Sequence, residues 1–196
     1  MKQVPRFYQK NIARGAVKKT GTDPEQRREA VAQAVYWCMV IAMHEELRLG
    51  KETLERFGAV MQTVVTSYEN KINAVGRKRA DAWLDEQTKG LRFVLPAIRP
   101  IKKARDREEL ARKRQDADPV WKLCSVSLRE MGYGTLRQQR WLDRAEEEYR
   151  WFGEWAKDGD LYGFERLRAA LEQILRESME LVIQPGESPV FSNRIW

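Results

Sequence analysis

Histidine and cysteine are nearly missing from this chain of 196 residues, which holds one His and two Cys. The shortage excludes several chemistries. His44-Glu45-Glu46 opens like a zinc-protease motif, but that motif needs a second His one helical turn later, and none follows. A Ser-His-Asp site would also have to use His44, and no nucleophile elbow is present. Cys38 and Cys124 both fall on apolar stripes, where a thiol packs as a small hydrophobe. Long hydrophobic runs are lacking too. The longest, Ala34 to Met43, is about half of the roughly 20 residues a membrane span needs. No secretory leader is expected, because the basic N-terminus has no apolar stretch behind it. There is no Gly-rich phosphate loop and no dinucleotide fingerprint. Asp158-Gly159-Asp160 with Gly163 resembles the opening of a calcium loop, but Tyr162 and Ala169 stand where oxygen ligands are required. Glu45-Glu46 and Glu146-Glu147-Glu148 could pair carboxylates, yet such runs on helices read as solvated faces. The expectation is a protein that is not an enzyme and takes no cofactor or metal.

What the chain does have is a pattern that occurs twice. Trp37-x-Met39, Glu46-Leu47-Arg48-Leu49-Gly50 and Arg56-Phe57 recur about 84 residues later as Trp121-x-Leu123, Glu130-Met131-Gly132-Tyr133-Gly134 and Arg140-Trp141. Two helical hairpins share apolar spacing in any case, so duplication and coincidence are both open readings. The apolar spacing extends the match over three helices. The first has Val31, Ala34, Val35, Cys38, Ile41 and Ala42 on a broad apolar face and should be well buried. Gly50 is placed to end it in the left-handed conformation. The second, with Leu54, Phe57, Met61, Val64, Val65, Tyr68 and Ile72, has the clearest 3.6-residue period in the chain. The third carries Ala80, Trp83, Gln87 and Leu91.

Pro96 and Pro100 break this pattern, and a charged stretch with almost no apolar face follows, read as a solvated connector helix. Asp118-Pro119 looks like a cap and first-turn Pro opening the second unit. The predicted architecture is all-α: a basic arm (1–19), a first three-helix unit (20–95), a basic connector (96–118), a second, related three-helix unit (119–183) and an extended tail (184–196). Asp160 is placed to cap the last helix, and Glu46/Arg56 and Glu130/Arg140 to form ion pairs bracketing each turn.

Charge is unevenly spread. Residues 1–119 hold 25 Lys+Arg against 16 Asp+Glu, a balance of +9; residues 120–196 hold 11 against 13, a balance of −2. An anionic partner belongs with the first part. Lys71, Arg77, Lys78 and Arg79, with Lys102, Lys103, Arg105, Arg112, Lys113 and Arg114, form a candidate electrostatic footprint for nucleic acid, or simply a soluble helix surface. The turn at Gly50 invites a helix-turn-helix reading, but Glu46 and Arg56 occupy positions where that motif wants a small and an apolar residue. Arg150, Trp151 and Trp155 form a second candidate surface. Both Trp lie off the core stripe of Tyr149 and Phe152, which fits either a wide internal interface or a protein-binding patch.

Met43-His44-Glu45-Glu46-Leu47-x-Leu49-Gly50, followed by Leu54, Arg56 and Phe57, resembles a run found in uncharacterised small helical proteins of phages and prophages of low-GC Gram-positive bacteria. Here Leu47 and Leu49 replace aromatics, and the second copy keeps the glycines and Arg140-Trp141 but has no His. The resemblance implies a phage or mobile-element origin and no particular activity. The expected function is binding of nucleic acid or a host nucleoprotein in the host cytoplasm, including inhibition of a host defence nuclease in the manner of an anti-CRISPR protein. The alternatives are a DNA-binding transcriptional regulator and an assembly protein that forms homo-oligomers through Trp151 and Trp155. No membrane partner is expected.

Overall fold

A computed structural model describes residues 24–177 together with the pairs 181–182 and 190–191. The basic arm and most of the C-terminal tail lie outside the described residues. The protein is all-α. Six α-helices follow one another among the described residues: α1 Pro24–Leu47, α2 Lys51–Val75, α3 Arg77–Gln87, α4 Ala104–Glu130, α5 Thr135–Trp155 and α6 Asp160–Leu175, with a 3-10 turn at Ala156–Asp158 before α6. Among the described residues there is one β pairing, two residues long, with Leu181 opposite Phe191 and Val182 opposite Val190.

The apolar run of α1 explains its position. Every residue from Ala34 to Met43 is buried, so the helix has no solvent face there and must sit inside the molecule. On α2 the predicted stripe is the observed one: Leu54, Phe57, Met61, Val64, Val65 and Tyr68 are buried. One contiguous core joins residues of all six helices.

The helices do not pack as two separate bundles. The extensive contacts of α1 are with α4, α5 and α6, while α4 packs chiefly on α1, α2 and α3. Within each half the last two helices pair, α2 with α3 and α5 with α6. Trp141 on α5 donates from its indole nitrogen to the Met39 carbonyl of α1 at 3.0 Å, and Phe164 of α6 meets Trp37 of α1 edge-on at 6.2 Å. Across the other interface, Ser127 of α4 donates to Met61 Sδ of α2 at 3.3 Å.

The two matched turns share a backbone course that differs from the expectation for Gly50. That glycine is extended (φ −81°, ψ 174°) and precedes the first residue of α2; the left-handed residue is Arg48, at φ 58°. In the second copy Gly134 is extended (φ −73°, ψ 162°) and Gly132 is left-handed at φ 89°. Each turn also has its middle carbonyl capped by a side chain: His44 Nδ1 donates to Leu49 O at 2.8 Å, and Gln138 Nε2 to Tyr133 O at 2.7 Å. His44 is therefore a half-buried residue in the last turn of α1. The expected Glu46/Arg56 and Glu130/Arg140 pairs do not form: His44 and Gln138 hold the turns instead, and Glu46, Arg56, Glu130 and Arg140 are exposed.

The expected boundary at Asp118-Pro119 falls inside a helix. α4 runs through Pro119, which gives up one backbone bond there while Ala117, Val120 and Trp121 around it are buried. Its true start is a capping box in which Asp106 accepts the backbone N–H groups of Lys102 and Lys103 at 3.0 and 2.9 Å. These two bonds hold the Asp106 carboxyl below its usual range. The break between halves lies earlier, in a strap over residues 88–103 that is neither helix nor strand. The strap is fastened to α5: the Gln139 side-chain amide donates to Arg92 O and accepts from Arg92 N, both at 2.9 Å. Glu146 accepts from Val94 N at 2.8 Å, and Ile98 lies against Gly153 so closely that a Cβ there would come within 2.7 Å of it. The last turn places Gly159 at the N-cap of α6, with Asp160 as its first helical residue.

Candidate nucleic-acid interface

Three helices meet around an open groove of about 630 Å³ lined by residues of α1, α3 and α4. It unites two of the predicted cations, Arg77 and Arg114, and adds two that sequence reasoning missed, Arg28 and Lys122. Nothing in the linear chain links Arg28 to Arg77, and Lys122 lies between Trp121 and Leu123 of the core stripe. Four carboxylates share the lining: Asp81, Asp85, Asp116 and Asp118. The groove is thus a charge-balanced seam. Arg28 pairs with Asp116 at 3.6 Å and Arg77 with Asp81 at 3.8 Å, all partly exposed, so these pairs are weak and open to exchange. Lys122 is held more firmly, bridging Asp118 and, at 2.5 Å, Asp85. Burial disfavours its charge, but the two carboxylates outweigh burial and keep the ammonium above its usual pKa. Burial, reinforced by a hydrogen bond to Asp81, pushes the Tyr68 phenol up to about 12.

The other predicted cations divide by partner. Lys71 sits over the Trp83 ring at 5.1 Å. Arg112 and Lys113 pair one turn back with Glu108 and Glu109, at 3.9 and 2.9 Å, and Arg114 Nε donates to Leu95 O at 3.1 Å. Lys78 and Arg79 at the start of α3, and Lys102, Lys103 and Arg105 at the start of α4, are exposed. None of these five makes a salt bridge among the described residues.

The aromatic candidates separate as well. Trp151 is 55% exposed. Trp155 is half-buried against the core, with Arg166 over its ring at 5.5 Å. Arg150 pairs with Glu146 at 3.6 Å.

One cluster contradicts the reading of the Glu runs as solvated. Glu148 is buried. Arg144 reaches Glu45 of α1 at 2.5 Å and Glu147 and Glu148 of its own helix at 2.8 and 2.7 Å. Burial first, and then the charge of Glu45, pushes the Glu148 carboxyl up to about 7 against the pull of Arg144. The sequence offered one clue: Glu148 stands beside Tyr149 and one turn from Ala145, on the apolar side of α5. Both cysteines are buried and unbridged. Among the described residues no cluster of three His, Cys, Asp or Glu could hold a metal ion, and no helix is long and apolar enough to cross a membrane. Comparison with protein families, with curated proteins and with solved structures returned no match.

Proposed function

We propose that this is a non-enzymatic binding protein of phage or mobile-element origin that engages nucleic acid, free or within a host nucleoprotein. The observation that carries this reading is the charge imbalance of +9 over residues 1–119 against −2 over the rest. Lys78, Arg79, Lys102, Lys103 and Arg105 supply exposed cations from that part, and Arg28 and Arg77 are paired weakly enough to release to a phosphate. Such contacts follow the backbone and read no sequence. Inhibition of a host defence nuclease fits the same surface, with Trp151 available for protein contact. The origin rests on the prophage-like run around Gly50. The two halves are read as related three-helix units; the excess of positive charge lies on the basic arm and the connector, while residues 20–95 hold 11 Lys+Arg against 11 Asp+Glu.

The test is fluorescence anisotropy with duplex DNA, single-stranded DNA and RNA over a salt series. Affinity should fall linearly with log salt, with a slope of about 0.9 per phosphate contacted on duplex DNA. Lys78→Glu/Arg79→Glu should weaken binding by roughly tenfold or more and flatten the slope by about two contacts. Absence of binding at low salt, together with no nucleoprotein recovered from the host with or without nuclease treatment, defeats the reading.

A further inference from the structure

The packing of the six helices is reciprocal. Exchanging the halves, α1 for α4, α2 for α5 and α3 for α6, turns each main interface into another main interface. α1 on α5 and α6 becomes α4 on α2 and α3; α2 on α3 becomes α5 on α6; α1 on α4 maps onto itself. The same exchange superimposes the turns residue by residue: left-handed Arg48 on Gly132, and extended Gly50 on Gly134. Each half therefore presents a helical pair whose apolar face is filled by the first helix of the other half.

We infer that α1 and α4 are exchanged arms of two equivalent helical units, so that the chain is the single-chain form of an arm-exchanged dimer, and that a second copy of this chain takes over the exchange when the strap cannot close it internally. The occupant is fixed by continuity with an interface already present: the surface of α5 and α6 that accepts α1 of its own chain accepts α1 of another in the same way. The strap sets the outcome. Between Gln139 and Gly153, α5 spans about 21 Å at roughly 1.5 Å per residue. The strap covers the same stretch from Arg92 to Ile98, about 20 Å only if drawn out at roughly 3.3–3.4 Å per residue. There is no slack in that part. Shortening a hinge that has no slack to give is the condition that favours exchange between chains over closure within one.

The experiment removes Arg99-Pro100-Ile101 from the full chain. All three are exposed, so the deletion takes about 10 Å of reach and no core side chain. Light scattering should show a twofold larger mass than the undeleted chain at the same concentration, with the same helical circular dichroism. A Glu45→Cys/Arg144→Cys pair treated with a short bismaleimide should then link two chains in the deletion variant and one chain in the parent. A folded, internally linked monomer from the deletion variant overturns the inference. If the deletion variant does not fold, a protease site inserted after Arg99 of the full chain decides. After cleavage the two pieces should co-elute and trade partners with tagged cleaved protein on mixing. Separation into two independently folded pieces overturns the inference. These readouts are masses and cross-links, so they are independent of whether nucleic acid binds.

Discussion

Replacing Glu148 with glutamine isolates the one buried carboxylate among the described residues. The side chain keeps its shape and its place between α1 and α5, and loses only the ability to ionise. In the folded protein the carboxyl titrates near 7 against an ordinary 4.5; in the unfolded chain it returns to the ordinary value. Between these limits the native state holds a proton that the unfolded state has released. Stability must then fall as pH rises through this window, and level off above about 7. At roughly 1.4 kcal/mol per pH unit the full loss is about 3 kcal/mol. Burial of Glu148 is the first cause of this loss, and the charge of Glu45, to which it is hydrogen-bonded, adds to it. Glu148→Gln behaves as a permanently protonated side chain, and Arg144 keeps Glu45 and Glu147. The variant should match the wild type near pH 4.5 and exceed it by about 1–3 kcal/mol at pH 8. Urea titrations followed by Trp fluorescence at half-unit steps from pH 4.5 to 8.5 measure this directly. A variant less stable than wild type at pH 8 refutes the reasoning, for it would show that Arg144 needs an ionised Glu148 more than burial resists one.

Two further substitutions test the fold. Gly153→Ala puts a methyl group into Ile98 and should cost about 1–3 kcal/mol, with faster hydrogen exchange at the Arg92 and Val94 amides as the strap lifts from α5; unchanged protection at both amides would show that the strap is not seated there. Pro119→Ala restores the backbone N–H missing inside α4 and should raise stability by about 1 kcal/mol or more, read as a higher melting temperature. A lower one would mean that Pro119 shapes a bend the core requires.

Much of the fold is legible in the sequence because burial leaves a local trace. Ten apolar residues in a row leave Ala34 to Met43 no face for water, and the 3.6-residue spacing from Leu54 to Tyr68 turns one face inward. Pro119 misled because its missing N–H argues for a helix start wherever a capping residue precedes it. The buried neighbours Ala117 and Val120 hold the helix together across it, and no local rule contains them. Gly50 misled for a related reason. Glycine can take the left-handed position but does not have to, and here the chain gives it to Arg48. Glu148 was hidden by Glu146 and Glu147, although its register with Ala145 and Tyr149 put it on the inner face. Arg77 and Arg114 stood in the predicted footprint, but their meeting with Arg28 and Lys122 had no local trace, since the groove forms only where three distant helices meet.

Reciprocal packing accounts for which positions match between the two halves and which do not. Trp37 and Trp121, Phe57 and Trp141, Ala80 and Phe164 are all buried, and each faces a partner constrained in the same way by the other half. A change there disturbs a close-packed interior, so the apolar character persists even where size does not. Lys78 and Arg79 fall opposite Tyr162 and Gly163. The exposed members of these pairs answer to solvent and partners, not to the other half. Surface residues on either half could therefore change in kind without cost to the shared core. The basic start of α3 and the exposed Trp151 of α5 lie on corresponding helical pairs but carry different chemistry. A protein built this way separates what holds it together, which is shared, from what it binds with, which is not, and its function is to be sought at the positions where the two halves disagree.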